Sequence, residues 1–170
     1  MSKKSIILSI FIAASILISG CILDTNNGTK GNETKTIKSD IIPTINLPTG
    51  FTYMAVHETN IDNGNFSHKA IEGVYRTEQG EDIYVQVFET DKPEELLKEY
   101  KAQYNNEDSN PFTDIYFNGH KATKIVSYFT SDGKSVPKYM IVWIINNSMI
   151  RVGSSTDAQK VINLATATNS

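Results

Sequence analysis

The sequence predicts an α+β domain, a mainly antiparallel β-sheet with two helices packed against it, and three observations lead there. Short runs rich in Val, Ile, Phe and Tyr recur between turns built on Gly and Asn. Two other segments place apolar residues at helical spacing instead. The stretch after residue 46 is also long enough to bury a real core without help from a disulfide, since the chain has a single cysteine, Cys21.

Taken in order, Leu47-Pro48-Thr49-Gly50 reads as a turn and Phe51–Glu58 as the first strand. His68–Arg76 and Asp82–Glu89 form a hairpin around Glu78-Gln79-Gly80. In its second arm Ile83, Val85 and Val87 share one face, and Tyr84, Gln86 and Phe88 the other. Asp91-Lys92-Pro93-Glu94 opens a helix: Asp91 is placed to cap it and Pro93 fits the first turn. Leu96, Leu97, Tyr100 and Tyr104 then make one stripe along that helix.

The second half has the same rhythm. Phe112–Phe117 and Lys121–Thr130 flank Asn118-Gly119, a dipeptide that favours a two-residue hairpin turn. Ser131-Asp132-Gly133-Lys134 turns the chain again. Tyr139–Ile145 and Met149–Gly153 flank Asn146-Asn147-Ser148. The first of these two is the most apolar strand and is expected at the centre of the sheet, with Ile141, Trp143 and Ile145 on one face and Met140, Val142 and Ile144 on the other. Ser154-Ser155-Thr156-Asp157 opens a last helix that buries Ala158, Val161, Ile162 and Ala165. The expected order is β-β-β-α-β-β-β-β-α, an α+β sandwich.

The first twenty-one residues are of another kind. A basic start, Lys3 and Lys4, precedes thirteen uncharged residues, Ile6–Ile18. That length suits a secretory signal peptide, whose apolar region runs ~7–15 residues, better than a spanning helix of ~20. The run ends in Leu17-Ile18-Ser19-Gly20-Cys21. This resembles the lipobox of bacterial and archaeal lipoproteins: an apolar residue, two small ones, then the cysteine. The resemblance implies cleavage between Gly20 and Cys21, lipid on the Cys21 sulfur, and a protein held at the cell membrane facing the extracytoplasmic side. It covers residues 1–21 and leaves the domain behind it unassigned.

The chain therefore divides into a signal peptide at 1–20, a lipidated cysteine with a flexible tether at 21–46, and one domain at 47–170. Asp24–Ser39 contains one large apolar residue, Ile37, and no aromatic, too little to offset its ordering entropy. Random-coil scaling gives those residues a reach of about 20–24 Å. Four N-glycosylation sequons start at Asn27 and Asn32 in the tether and at Asn65 and Asn146 in expected turns.

The order of elements over 51–168 is similar to that of PsbP-like α/β sandwiches and of small prokaryotic lipoprotein domains, a likeness that brings no motif and no functional residue. Charge narrows the function classes further. Without residues 1–20 the count is 14 basic against 19 acidic, a formal −5, which argues against nucleic acid as a partner.

No motif for chemistry emerges. His57, His68 and His120 could reach a metal only with Glu58 or Glu72. Neighbours on a strand point to opposite faces, and residues four apart lie about 13 Å from each other. There is no nucleophile elbow and no phosphate-cradling loop, and Cys21 is committed to the anchor. The reading is of a protein that is not an enzyme and uses no metal or cofactor. Its aromatics are the remaining signal: Tyr84, Tyr116, Tyr128 and Trp143 fall on expected strands and could form a partner surface. The leading expectation is a non-enzymatic module that binds a protein partner or envelope component, such as an envelope protein. The alternative is a lipoprotein that captures a small apolar or aromatic solute between sheet and helix.

Overall fold

The computed structural model describes residues 40–104 and 110–168. The signal segment, Gly20, Cys21, Asn27, Asn32 and the tether up to residue 39 lie outside the described residues. Seven strands and two helices follow one another in the expected order: β1 (Phe51–Asn63), β2 (Phe66–Thr77), β3 (Asp82–Glu89), α1 (Pro93–Ala102), β4 (Phe112–Phe117), β5 (His120–Ser131), β6 (Lys134–Ile145), β7 (Ser148–Ser155) and α2 (Ala158–Thr166).

The strands form one antiparallel sheet ordered β1-β2-β3-β7-β6-β5-β4. Two meanders, β1–β3 and β4–β7, are joined where their last strands pair, from Tyr84 opposite Gly153 to Glu89 opposite Ser148. The centre of the sheet is therefore β7. The expectation that Tyr139–Ile145 is central is corrected by one place: this stretch of β6 is interior and covered on both faces, as its continuous apolar run requires.

Period-two alternation sorts the side chains onto two faces. Ile83, Val85, Ile141, Trp143, Ile150 and Val152 meet Val161, Leu164 and Ala165 of α2 on one face. Phe88, Ile125, Met140, Val142 and Met149 meet Leu96 and Tyr100 of α1 on the other. One helix thus lies on each face, both over β6 and β7. Asp157 caps α2, its carboxylate accepting from the Gln159 N–H at 2.8 Å. In α1 the expected cap is corrected: Lys92 occupies that position and Asp91 lies one residue earlier, so no side chain caps the helix.

The contacts of α2 with the sheet fall chiefly on β6 and β7, and residues 41–47 pack beside β2 on the same face. Ile41, Ile42 and Leu47 pack against the core, and the Tyr75 hydroxyl donates to the Pro43 carbonyl at 2.8 Å. Burial pushes the Tyr75 phenol well above its ordinary pKa. Gly73 makes the seat: a Cβ there would stand 2.7 Å from Ile42 Cγ2 and 3.0 Å from the Tyr75 hydroxyl. Within the stretch expected as the end of a tether, Ile41 and Ile42 pack against the core and Pro43 is buried, while residues 44–46 are exposed. A polar-looking neighbourhood hid one well-placed isoleucine.

Replacing Gly73 by Ala is expected to lower the unfolding free energy by about 1–3 kcal/mol, the usual range for overpacking. Denaturant midpoints would measure it. The loss should shrink in an Ile42→Ala background, because the two changes act on one contact. Simple additivity would show that Gly73 does not seat Ile42.

Candidate interaction surface

Three constellations compete for a functional role. The first is a polar row across the α1 face of the sheet. His57, Glu72, Gln86 and Arg151 stand opposite one another on β1, β2, β3 and β7. His57 Nε2 lies 3.3 Å from Glu72 Oε1, and the Gln86 amide donates to the other Glu72 oxygen. The Arg151 guanidinium sits 5.7 Å from the Tyr100 ring centre. Among the described residues Gln86 Oε1 and Arg151 Nε are buried without a hydrogen-bond partner. Glu72 and Gln86 are buried in the packed sheet, where hydrogen-bonded polar groups opposite one another fit one strand register better than its neighbours.

Sequence spacing along single strands missed this pairing because it joins residues across strands. His68 likewise meets Glu99 of α1 at 3.2 Å and stacks near the Phe66 ring at 4.6 Å. Each of these two histidines is partly exposed and has a carboxylate partner. His120 stands 6.4 Å from the Phe117 ring. Among the described residues no three His, Cys, Asp or Glu side chains gather closely enough to hold a metal ion.

The second constellation is a pair of surface depressions. A groove of about 420 Å³ runs beside α1, lined by Leu97, Ala102 and Ile144 with Glu94, Lys98 and Lys101 at its rim. A more polar one of about 640 Å³ lies between Glu89-Thr90-Asp91 and Asn146-Asn147-Ser148. Both are open to solvent. Between α1 and the sheet, Leu96, Tyr100, Phe88, Met140 and Met149 pack against one another, and the rings of Tyr100, Phe66 and Phe88 meet edge to face.

The third is an arm formed by the outer halves of β5 and β6. The strand β4 pairs with β5 only as far as Ile125, and β7 pairs with β6 only from Tyr139 inward. Residues 126–138 therefore continue as a two-stranded ribbon, Val126 opposite Tyr139 through Ser131 opposite Lys134. The turn at its tip is Asp132-Gly133, with φ of 49° and 71°, a pair of left-handed residues that matches the twist of the strands. Sequence patterning ends one strand at Thr130 and begins the next at Tyr139, whereas β5 runs to Ser131 and β6 begins at Lys134. In the ribbon Pro137 faces Tyr128, where a missing N–H costs nothing if it points outward.

The arm gathers exposed aromatics. Tyr128 is 57% exposed and Phe129 40%, on opposite faces of the ribbon, and Tyr116 on the edge strand β4 is 74% exposed. Tyr84 is half-buried on β3, away from the arm. Trp143 is corrected: it is 1% exposed, its ring 5.0 Å from that of Phe117, and it belongs to the core on the α2 side. Its strand is covered on both faces. Asn65 and Asn146 lie exposed beside turns, as expected.

Charge singles out the same arm. From His120 to Ile145 the chain carries Lys121, Lys124, Lys134 and Lys138 against Asp132, a formal +3 in a chain whose total is −3. Lys121 is occupied, bonded to Asp114 at 2.7 Å. Lys138 lies over the Phe129 ring at 5.4 Å. Lys124, Lys134 and Lys138 have no carboxylate partner among the described residues.

Comparison of the chain with protein families, with curated proteins and with solved structures finds no match. Among the described residues no helix is long and apolar enough to cross a membrane.

The Lys121 ammonium, by hydrogen bond and by charge, holds the Asp114 carboxyl below its ordinary pKa, with Lys101 adding to the effect. A depressed carboxylate contributes stability above its unfolded pKa, near 3.9, and that contribution disappears as pH falls through the lower folded value. Replacing Lys121 by Met should raise the Asp114 pKa toward the ordinary value, read from its carboxyl carbon shift. An unchanged titration would mean that Lys121 leaves Asp114 in solution and is free for other partners.

Proposed function

We propose that this chain is a membrane-anchored surface lipoprotein and that its domain, an α+β sandwich, is a non-enzymatic interaction module facing the extracytoplasmic side. The anchor reading rests on the sequence: the apolar run, the small residues before Cys21, and the use of the chain's one cysteine at that place. The module reading rests chiefly on one observation, the projecting ribbon with Tyr128 and Phe129 exposed on its two faces. Aromatic side chains left in solvent beside unpaired lysines suit a partner surface better than a domain with nothing to bind.

Both halves are open to test. Intact mass of the protein from the membrane fraction of its host is expected to match Cys21–Ser170 plus lipid, and Cys21→Ser is expected to shift the chain out of the lipid-anchored pool. Each buried methylene contributes about 0.8 kcal/mol, so losing the acyl chains removes the attachment. A mass matching the whole chain would overturn the anchor. For the module, Tyr128→Ser with Phe129→Ser should leave the melting temperature within a few degrees yet abolish crosslinks to envelope proteins on intact cells. Crosslinks that persist unchanged would move the binding surface elsewhere.

A further inference from the structure

Asparagine followed by glycine carries a chemistry of its own, and the chain has this pair at Asn27, Asn63 and Asn118. The glycine backbone nitrogen can attack the asparagine side-chain carbon, because no side chain at the glycine stands in its way. Ammonia leaves and a succinimide ring closes. Water then opens the ring at one carbonyl or the other. The product is aspartate, or its isomer with the main chain routed through the side-chain methylene. Asn27 lies outside the described residues, so the structure bears on Asn63 and Asn118.

Ring closure needs the glycine nitrogen to swing back toward the side chain. Neither a strand residue nor a left-handed turn residue has that geometry, so each site reacts only from a locally opened turn. Asn118 is the first central residue of the β4–β5 turn, with φ of 47° at Asn118 and 79° at Gly119. Its side-chain amide, the group that must leave, donates to the Thr166 carbonyl at the end of α2 at 2.8 Å. That carbonyl is one that the helix itself leaves unpaired. Phe117, the residue before it, packs against Trp143 with ring centres 5.0 Å apart. Opening this turn costs a helix-end bond and a core contact.

Asn63 has neither hold. It is exposed, it ends the edge strand β1, and its side chain has no hydrogen-bond partner among the described residues. Across Gly64 and Asn65 it pairs with Phe66, which is fully buried against Phe88 and Tyr100. The end of β1 can therefore lift while β2 keeps its seat. The backbone pairing with Phe66, the Ser67 hydroxyl bonded to Asp62, and the half-buried Ile61 resist that lift.

We propose that Asn63 is the hydrolytic modification site of the folded domain. It converts to aspartate and isoaspartate, while Asn118, with the same dipeptide, is held intact by the end of α2 and by Phe117. Conversion places a new carboxylate next to Asp62, and the isomer adds a main-chain carbon to the turn that closes on Phe66.

The full chain in detergent would be incubated in mildly alkaline buffer, sampled over time, digested and mapped by mass. A protease that cuts before aspartate but not before isoaspartate separates the two products. In the folded chain Asn63 is expected to convert at least tenfold faster than Asn118, about 1.4 kcal/mol in barrier. In concentrated urea the two rates should converge, because only the shared dipeptide then remains. Phe117→Leu loosens the second turn and should speed Asn118 severalfold while leaving Asn63 unchanged.

Equal rates in the folded chain, faster loss at Asn118, or no conversion at Asn63 would overturn the proposal. A tenfold difference that persists in urea would trace it to flanking residues and remove the fold from the account. An Asn118 rate indifferent to Phe117→Leu would remove the hold assigned to that contact.

Discussion

The fold depends on the pairing of β3 with β7. Every other strand pair in the sheet joins sequence neighbours through a turn, and only this one brings together segments some sixty residues apart. Neither meander covers its own apolar faces: both helices rest over β6 and β7, and α1, which follows the first meander, packs on the second. Until β3 docks on β7, Phe88 and Tyr100 lack half their neighbours. Closing a loop of that length is costly in entropy, so the junction is the expected late step of folding.

A junction of this kind needs its register specified, because a slip by one residue would exchange the two faces. Val85 opposite Val152 and Val87 opposite Ile150 fit any apolar alignment nearly as well as their own. Gln86 opposite Arg151 does not. With Glu72 and His57 beyond it, that polar row gives the sheet a position at which misalignment would bury charge against Val and Ile. The row accepts two unpartnered buried atoms, and in return the two meanders have one favoured alignment.

Much of this was legible in the sequence, and its failures have physical causes. The element order and the inward faces of β3 and β6 follow from local periodicity, which is a property of single segments. Turn residues placed the Asn118-Gly119 hairpin correctly for the same reason. Strand order and the pairing of His57 with Glu72 are properties of pairs and layers, and no single segment contains them. The outer half of β6 escapes local patterning because Lys134, Pro137 and Lys138 have little preference for strands, and pairing with β5 holds them in the ribbon. Ile42 was missed because its seat is made by an absent side chain, that of Gly73, thirty-one positions away.

That seat has a mechanical side. Ile42 is lodged against Gly73 while Pro43 is held by the Tyr75 hydroxyl. A pull along the chain from upstream is taken up there, on the second strand, before it reaches the free edge strand that begins at Phe51. Drawing Ile42 out breaks the buried hydrogen bond from Tyr75 to Pro43 and uncovers the core where Ile41 and Ile42 pack, and leaves all the strand pairings in place. The segment acts as a strain relief: it yields first, and the sheet behind it is spared peeling from its exposed edge.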